Sequence, residues 1–400
     1  MTADLEGRIE IVMTRGAGPV HGVELSSTRP QVAQRLMAGR EPAQAAELAG
    51  LVFSLCGRAQ RVACELACAA ADCVPADPEA DRVRTRRVLM ELAQEHAWRL
   101  LLDWPECLPD RRDLAPDRVG LVALRQATAE PMPGPRPRPE PEPEPGSRRV
   151  PHTDPLADRL EGLVADWLGL APSAWLALDL AGLADWSARG ETLLARLFRT
   201  LGEGPDPGAS TCPLLPQLGR LGPEGLADLA GRALCDPEFC ARPRWAARPA
   251  ETGAVARGAS RRPLRDWIEA RGRGLGARML ARLVELALLP EWLRGLSGAG
   301  GGGPSWLGAR SLGNGVGVGA VETSRGLLLH AVRLIDGRIA DYRILAPTEW
   351  CFDPLGPLIE SLGGLDWEGP HPAPDLERLA RLVVRSLDPC VAFGLELRDA

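Results

Sequence analysis

The chain has 400 residues, 45% of them apolar, with 47 basic against 53 acidic side chains and a net charge of -6. That suffices for one large core or two smaller ones, and the interspersed charges offer no one-signed surface to a nucleic-acid backbone. The N-terminus lacks a basic segment followed by an apolar run, no apolar stretch approaches the roughly 18 residues of a membrane span, and ten cysteines in so long a chain do not resemble a small disulfide scaffold. These features predict a cytoplasmic protein without membrane insertion, its cysteines reduced and serving as core thiols or ligands.

Residues 8–14 and 18–25 flank Arg15-Gly16-Ala17 and predict a β-hairpin. From 30 to 73 the apolar positions Val32, Leu36, Leu48, Leu51, Val52 and Leu55 recur near helical spacing, and a second helical stretch runs from Pro78 to Leu102. Between Pro131 and Pro145 eight of fifteen residues are proline, interrupted by Arg136, Arg138, Glu140, Glu142 and Glu144. Such a tract lacks backbone donors and core-forming side chains, which predicts an extended, solvated spacer; a proline-recognition ligand is the alternative. The expected organisation is therefore 1–128, a Pro/Glu/Arg-rich linker or insertion at 129–151, and 152–400.

Beyond the spacer, Pro155 to Phe198 and Pro263 to Leu296 read as helices whose tryptophans, including Trp167, Trp175, Trp186, Trp267 and Trp292, are expected to fill helix interfaces. Leu327–Leu334 and Ile339–Leu345 are strand-like runs joined across Asp336-Gly337, a pair that tolerates positive φ and predicts a hairpin turn. Asp375 to Leu387 returns to helix, with Leu376, Leu379, Val383 and Leu387 on its apolar stripe. The run Gly313-Asn314-Gly315-Val316-Gly317-Val318-Gly319 superficially suggests a nucleotide loop. It does not lie between a strand and a helix of a βαβ unit, so close approach of its backbone to another element is the more economical role.

Chemistry-bearing residues are sparse. The five histidines show no His-Glu-x-x-His spacing, and neither a Gly-x-Ser-x-Gly elbow nor a lysine-bearing phosphate loop occurs. Cys56, Cys64, Cys68 and Cys73 form the densest thiol group; Cys64 and Cys68 would share a helix face, so a soft-metal or zinc site and a set of inert core thiols both remain open.

Several segments in order resemble the large subunit of nickel-iron hydrogenases. Leu5-Glu6-Gly7-Arg8-Ile9-Glu10-Ile11 is similar to that family's Val-Glu-Gly-His opening, and Leu55-Cys56-Gly57-Arg58-Ala59 falls where it carries Arg-x-Cys-Gly-x-Cys-x-x-x-His. Gly317 to His330 resembles Gly-x-Gly-x-x-Glu-Ala-Pro-Arg-Gly-x-Leu-x-His, Pro347-Thr348-Glu349-Trp350 the Pro-Thr-x-Trp loop, and Asp388-Pro389-Cys390 the first half of the terminal Asp-Pro-Cys-x-x-Cys-x-x-His. The resemblance covers about residues 4 to 70 and 306 to 396, and the pattern of losses looks most like the HupK group of hydrogenase formation proteins.

The resemblance implies an α+β, predominantly helical large-subunit-like fold with small peripheral β elements, the two chain ends meeting around the former cofactor position. In the resembling family two Cys-x-x-Cys pairs hold nickel, the second member of each pair bridging to an iron that bears carbon monoxide and cyanide. Here Cys56 and Cys390 match the first members, as candidate metal ligands, while Ala59 and Phe393 stand in the bridging positions; Ser54, Ala63 and Glu396 replace the flanking arginine and the two histidines. Arg325 matches an arginine beside the iron, able to donate to cyanide, and with Glu6 and His330 completes the candidate cofactor-facing set. Only Leu397 to Ala400 follow Glu396, so no sizeable cleavable C-terminal extension is expected.

Two sulfurs fall short of four, so the resemblance implies no enzyme and no permanently bound cofactor. It implies a non-catalytic accessory in hydrogenase maturation, partnered by maturation proteins and the immature large subunit, that holds or transfers an iron-cyanide-carbonyl fragment transiently. A docking module without metal cargo and a zinc-stabilised structural protein are the competing expectations.

Overall fold

The structure is a computed structural model, and it describes residues 7–15, 20–29, 32–107, 114–129, 154–202, 204–297, 304–365 and 373–399. Glu6, Gly16, Ala17 and the whole 131–145 proline tract lie outside the described residues. No described helix is long and apolar enough to cross a membrane.

The first hairpin forms as its alternation predicts: β1 (Arg8–Arg15) pairs antiparallel with β2 (Val20–Ser27), with Ile9, Ile11 and Met13 directed into the core. Helices Ala33–Met37, Pro42–Val52 and Gly57–Ala71 follow, the last two separated by a single turn, Ser54–Cys56. The Pro78–Trp98 helix starts at an Asp77 cap, whose carboxylate accepts from the amides of Glu79 (2.9 Å) and Ala80 (3.3 Å), with Pro78 supplying a preset φ.

A four-stranded antiparallel sheet occupies the C-terminal third: β3 (Leu307–Gly313), β4 (Val316–Thr323), β5 (Gly326–Ile335) and β6 (Arg338–Leu345), in that order. The β5–β6 turn is the Asp336-Gly337 pair, at φ 50° and 71°. The glycine-rich run is the β3–β4 hairpin, and β4 is buried along its whole length. Gly317 and Gly319 lie directly on the Gly57–Ala71 helix. A Cβ at 317 would come within 2.2 Å of the Ala71 amide nitrogen, and one at 319 within 2.3 Å of the Ala63 carbonyl oxygen. The glycines thus bring a strand against a helix, as expected. The opposite face of the sheet is covered by Leu221, Leu226 and Leu229 of the Leu218–Cys235 helix.

The last strand, β7 (Ala392–Asp399), was not legible in the sequence. It runs parallel to β1, from Arg8 opposite Ala392 to Arg15 opposite Asp399, and closes a β2-β1-β7 sheet. The two ends of the chain are therefore hydrogen-bonded neighbours, and Asp388-Pro389-Cys390, just before β7, is carried to the N-terminal half. The helical body between the sheets is built on Pro78–Trp98, Pro155–Leu168 and Leu275–Ser297. Trp167, Trp175, Trp186, Trp267 and Trp292 are all buried in it, and Trp175 meets Trp186 edge to face at 5.6 Å.

Candidate functional site

Five segments meet at one cavity of about 390 Å³: Arg29 and Val32 after β2, the Leu51–Gln60 turn and helix start, the Thr323–Arg325 turn with Leu328, Ala346–Thr348 after β6, and Cys390-Val391 ahead of β7. Cys56 and Cys390, both half-buried, line it, as do Arg325, Arg29, Gln60 and Thr348. Leu51, Val52 and Leu55 stand exposed on its apolar side.

Cys56 is the residue immediately before the Gly57–Ala71 helix, and Gln60 Nε2 donates to its sulfur at 3.5 Å. Burial pushes the Cys56 thiol up to about 12; Arg325 pulls in the opposite direction, while Glu91 and Cys390 add to the rise. Cys390 Sγ lies 3.4 Å from Thr348 Oγ1. That hydroxyl accepts from Arg29 Nη1 at 2.7 Å, so its own proton is free to point at sulfur. Arg29 also donates to Glu349 at 2.8 Å, and although burial opposes its charge, Cys390, Glu349 and Cys56 hold its pKa above the ordinary value. Arg29 belongs to no motif, and sequence reasoning missed it; a lone arginine just past a predicted strand carries no signal.

Arg325 sits on a turn locked by Thr323, whose Oγ1 accepts from the Arg325 amide (3.2 Å) and donates to the Gly326 carbonyl (2.9 Å). Gly326 takes φ 125°, and a Cβ there would lie 2.4 Å from Thr252, so the Arg-Gly pair of the motif has a steric basis. Arg325 is 4% exposed; Nη2 donates to Glu95 at 2.6 Å and Nε lies 3.2 Å from Asp388 Oδ1. Burial opposes its charge, but Asp388 and Glu95, with Cys56 and Cys390, raise its pKa well above the ordinary value. Nη1 has no hydrogen-bond partner although it is buried. An unused donor on a fixed cation beside two thiols is an unmet demand for an acceptor.

Behind Arg325 runs a buried ionic network. Asp388, at φ 59°, accepts from Arg99 Nε at 2.8 Å and faces Arg282 at 3.9 Å; these arginines and Arg325 outweigh its burial and hold its carboxyl down at about 2. Glu285 takes two bonds from Arg257 (2.7 and 2.8 Å) and one contact from His96 (2.7 Å), and Arg257 reaches Glu322 at 2.9 Å. Arg278, Arg282 and Glu285 lie on the buried 275–290 stretch of the Leu275–Ser297 helix, which is otherwise uncharged, and these three charges at helical spacing were a signal the sequence reading did not use.

His330 does not line the cavity. It is fully buried one residue behind it, its Nε2 2.9 Å from Gln60 Oε1 and its Nδ1 2.6 Å from the Tyr342 hydroxyl. The bridging-position residues are now structural: Ala59 is buried and its amide donates to Glu91 (3.2 Å), while Phe393 is opposite Ile9 in the β1–β7 ladder. Glu396 sits on β7 and is paired with Arg398 at 2.8 Å. The Cys56–Cys73 group does not converge. Cys56 precedes and Cys73 follows the 15-residue Gly57–Ala71 helix, about 22 Å in length, and Cys73 instead faces Ser311 at 3.4 Å. Among the described residues no group of three or more His, Cys, Asp or Glu side chains is arranged to hold a metal ion.

Comparison with known proteins matches the Nickel-dependent hydrogenase family over residues 303–395, the segment carrying the sheet, Arg325 and Cys390. The chain is 32% identical over 98% of its length to the hydrogenase expression/formation protein HupK of Rhizobium leguminosarum bv. viciae, covering 97% of that protein. It belongs to the HupK/HoxV-type hydrogenase expression/formation proteins. A second member, HoxV of Cupriavidus necator, is 33% identical, with 97% of this chain and 96% of the relative aligned. The fold is that of the catalytic large chain: the Ni-Fe-Se hydrogenase of D. vulgaris Hildenborough superimposes with a TM-score of 0.55 at 18% identity over 94% of each chain, and that of Desulfomicrobium baculatum with 0.54 at 16% over 94% and 95%. This HupK/HoxV-type chain is thus predominantly helical with small peripheral sheets, and Ala59 and Phe393, a methyl and a phenyl, supply no donor atom to a metal.

Proposed function

We propose that this protein is a non-catalytic accessory in nickel-iron hydrogenase maturation that accepts an iron fragment bearing cyanide and carbon monoxide as transient cargo between Cys56 and Cys390. The observation that carries this reading is the buried, unpartnered Nη1 of Arg325, a residue that lines the cavity holding two half-buried thiols. Two thiolates can tether a metal without completing its coordination, so release stays feasible, and a guanidinium donor suits a cyanide nitrogen. Its partners would be maturation proteins and the immature large subunit, in the cytoplasm.

Infrared spectra of protein isolated anaerobically from maturing cells should show cyanide and carbon monoxide bands, lost in Cys56→Ala with Cys390→Ala. Absence of bands in the wild type, with full maturation by the double variant, would overturn the cargo role.

The exposed Leu51, Val52 and Leu55 favour a second reading, a docking module without cargo. Replacing all three with serine would then abolish maturation, while the double cysteine variant would retain it.

A further inference from the structure

The two cavity sulfurs are supplied with hydrogen bonds by separate arms. Cys390 receives the Thr348 hydroxyl, oriented by Arg29. Cys56 receives Gln60 Nε2, and behind Gln60 stand His330 and Tyr342, joined end to end inside the protein. Such a chain can run either way. If Tyr342 donates to His330 Nδ1, then Nε2 carries the imidazole proton, Gln60 Oε1 accepts it, and the carboxamide N–H is left for Cys56. If His330 donates to Tyr342, the carboxamide is reversed and its oxygen faces the sulfur.

The distances choose between them. The Tyr342–His330 separation of 2.6 Å is that of an O–H donor, short for an imidazole N–H reaching a phenol, whereas the 2.9 Å from His330 to Gln60 is that of an N–H reaching a carbonyl. Cys64 is a hydrogen-bond neighbour of both Tyr342 and His330; as a thiol it is a weaker acceptor than an imidazole nitrogen, so the 2.6 Å contact assigns the phenol proton to His330.

We propose that Tyr342, His330 and Gln60 form a one-way hydrogen-bond relay that holds an N–H of Gln60 on Cys56 Sγ, making Gln60 and His330 positioning residues for that sulfur as a ligand. This explains why a histidine that does not itself line the cavity is built in behind it: it keeps a flippable carboxamide from turning its oxygen toward the sulfur. The inference rests on the cargo reading only for what the sulfur is held to do, and both measurements below use cargo-free protein, so absent infrared bands would sink that reading and leave the relay standing.

The first measurement is the tautomer of His330 in full-length protein labelled with 15N-histidine, assigned against His330→Gln. A single Nε2–H form is expected, and an Nδ1–H form overturns the relay. The second is alkylation of Cys56 by iodoacetamide at one fixed pH, read by peptide mass spectrometry with Cys390 as the internal control. Gln60→Leu should slow Cys56 relative to Cys390 on the order of fivefold, and Tyr342→Phe, which removes only the distant hydroxyl, about threefold with a mixed His330 tautomer. Unchanged Cys56:Cys390 ratios in both variants overturn the proposal. Should Tyr342→Phe not fold, the wild-type tautomer and Gln60→Leu decide it.

Discussion

Glu91 shows how one carboxylate can couple the site to pH. It accepts from the amides of Arg58 (2.8 Å) and Ala59 (3.2 Å) at the start of the Gly57–Ala71 helix, a favourable place for a negative charge. Burial outweighs those bonds, Glu95 adds to the effect, and its carboxyl rises to about 7. An acid whose folded pKa exceeds its unfolded value near 4.5 contributes its stability fully below that value and loses it as pH climbs through 7. Stability should therefore decline between about pH 5 and 8 in a component that Glu91→Gln removes; the variant also loses one of the two bonds at every pH, because the Arg58 and Ala59 amides use different carboxylate oxygens and a carboxamide has only one acceptor oxygen. Urea unfolding across that range checks it, and parallel curves for both proteins would refute the assignment. The departures at Ala59 and Phe393 were legible at this same scale, because a missing donor atom needs no fold to be noticed. Arg29 and the Arg325 Nη1 orphan were not, because a guanidinium's significance depends on which groups surround it.

At the scale of elements, the signals that came true were those with local chemistry: the first hairpin, the Asp336-Gly337 turn, and the helix beginning at Pro78. β3 and β4 were hidden because four glycines in Gly313–Gly319 look like a loop when judged by propensity. They form strands because a helix carrying Ala63, Ala67 and Ala71 lies against them, at a closeness no larger residue permits. Gly319→Ala should accordingly cost about 3 kcal/mol, since its Cβ would press into the Ala63 carbonyl and the Ala67 amide with no flexible side chain to yield. Chemical denaturation measures this; a loss below about 1 kcal/mol would mean that the strand and helix can separate cheaply.

For the whole molecule, the decisive pairing is β1 with β7, which joins residues 8–15 to 392–399. It places Cys390 beside Cys56 and leaves Asp388 beneath Arg325. Truncation after Val391 should therefore expose β1 amides to hydrogen exchange and speed alkylation of both cavity thiols, while the β4–β5 ladder, closed by its own neighbours, stays protected. Unaltered β1 exchange would show that the terminal strand is dispensable for the site.

By itself the sequence determined the motif order, the helical and hairpin segments with short-range signals, and the count of sulfur donors, since each depends on residue identity or on neighbours a few positions away. Tertiary structure alone decided that two cysteines 334 positions apart share a cavity, that the buried charges of the Leu275–Ser297 helix meet opposite charges on other segments, and that His330 stands behind Gln60. Those relations are set by strand pairing and packing between remote segments, which leave no periodic trace along the chain.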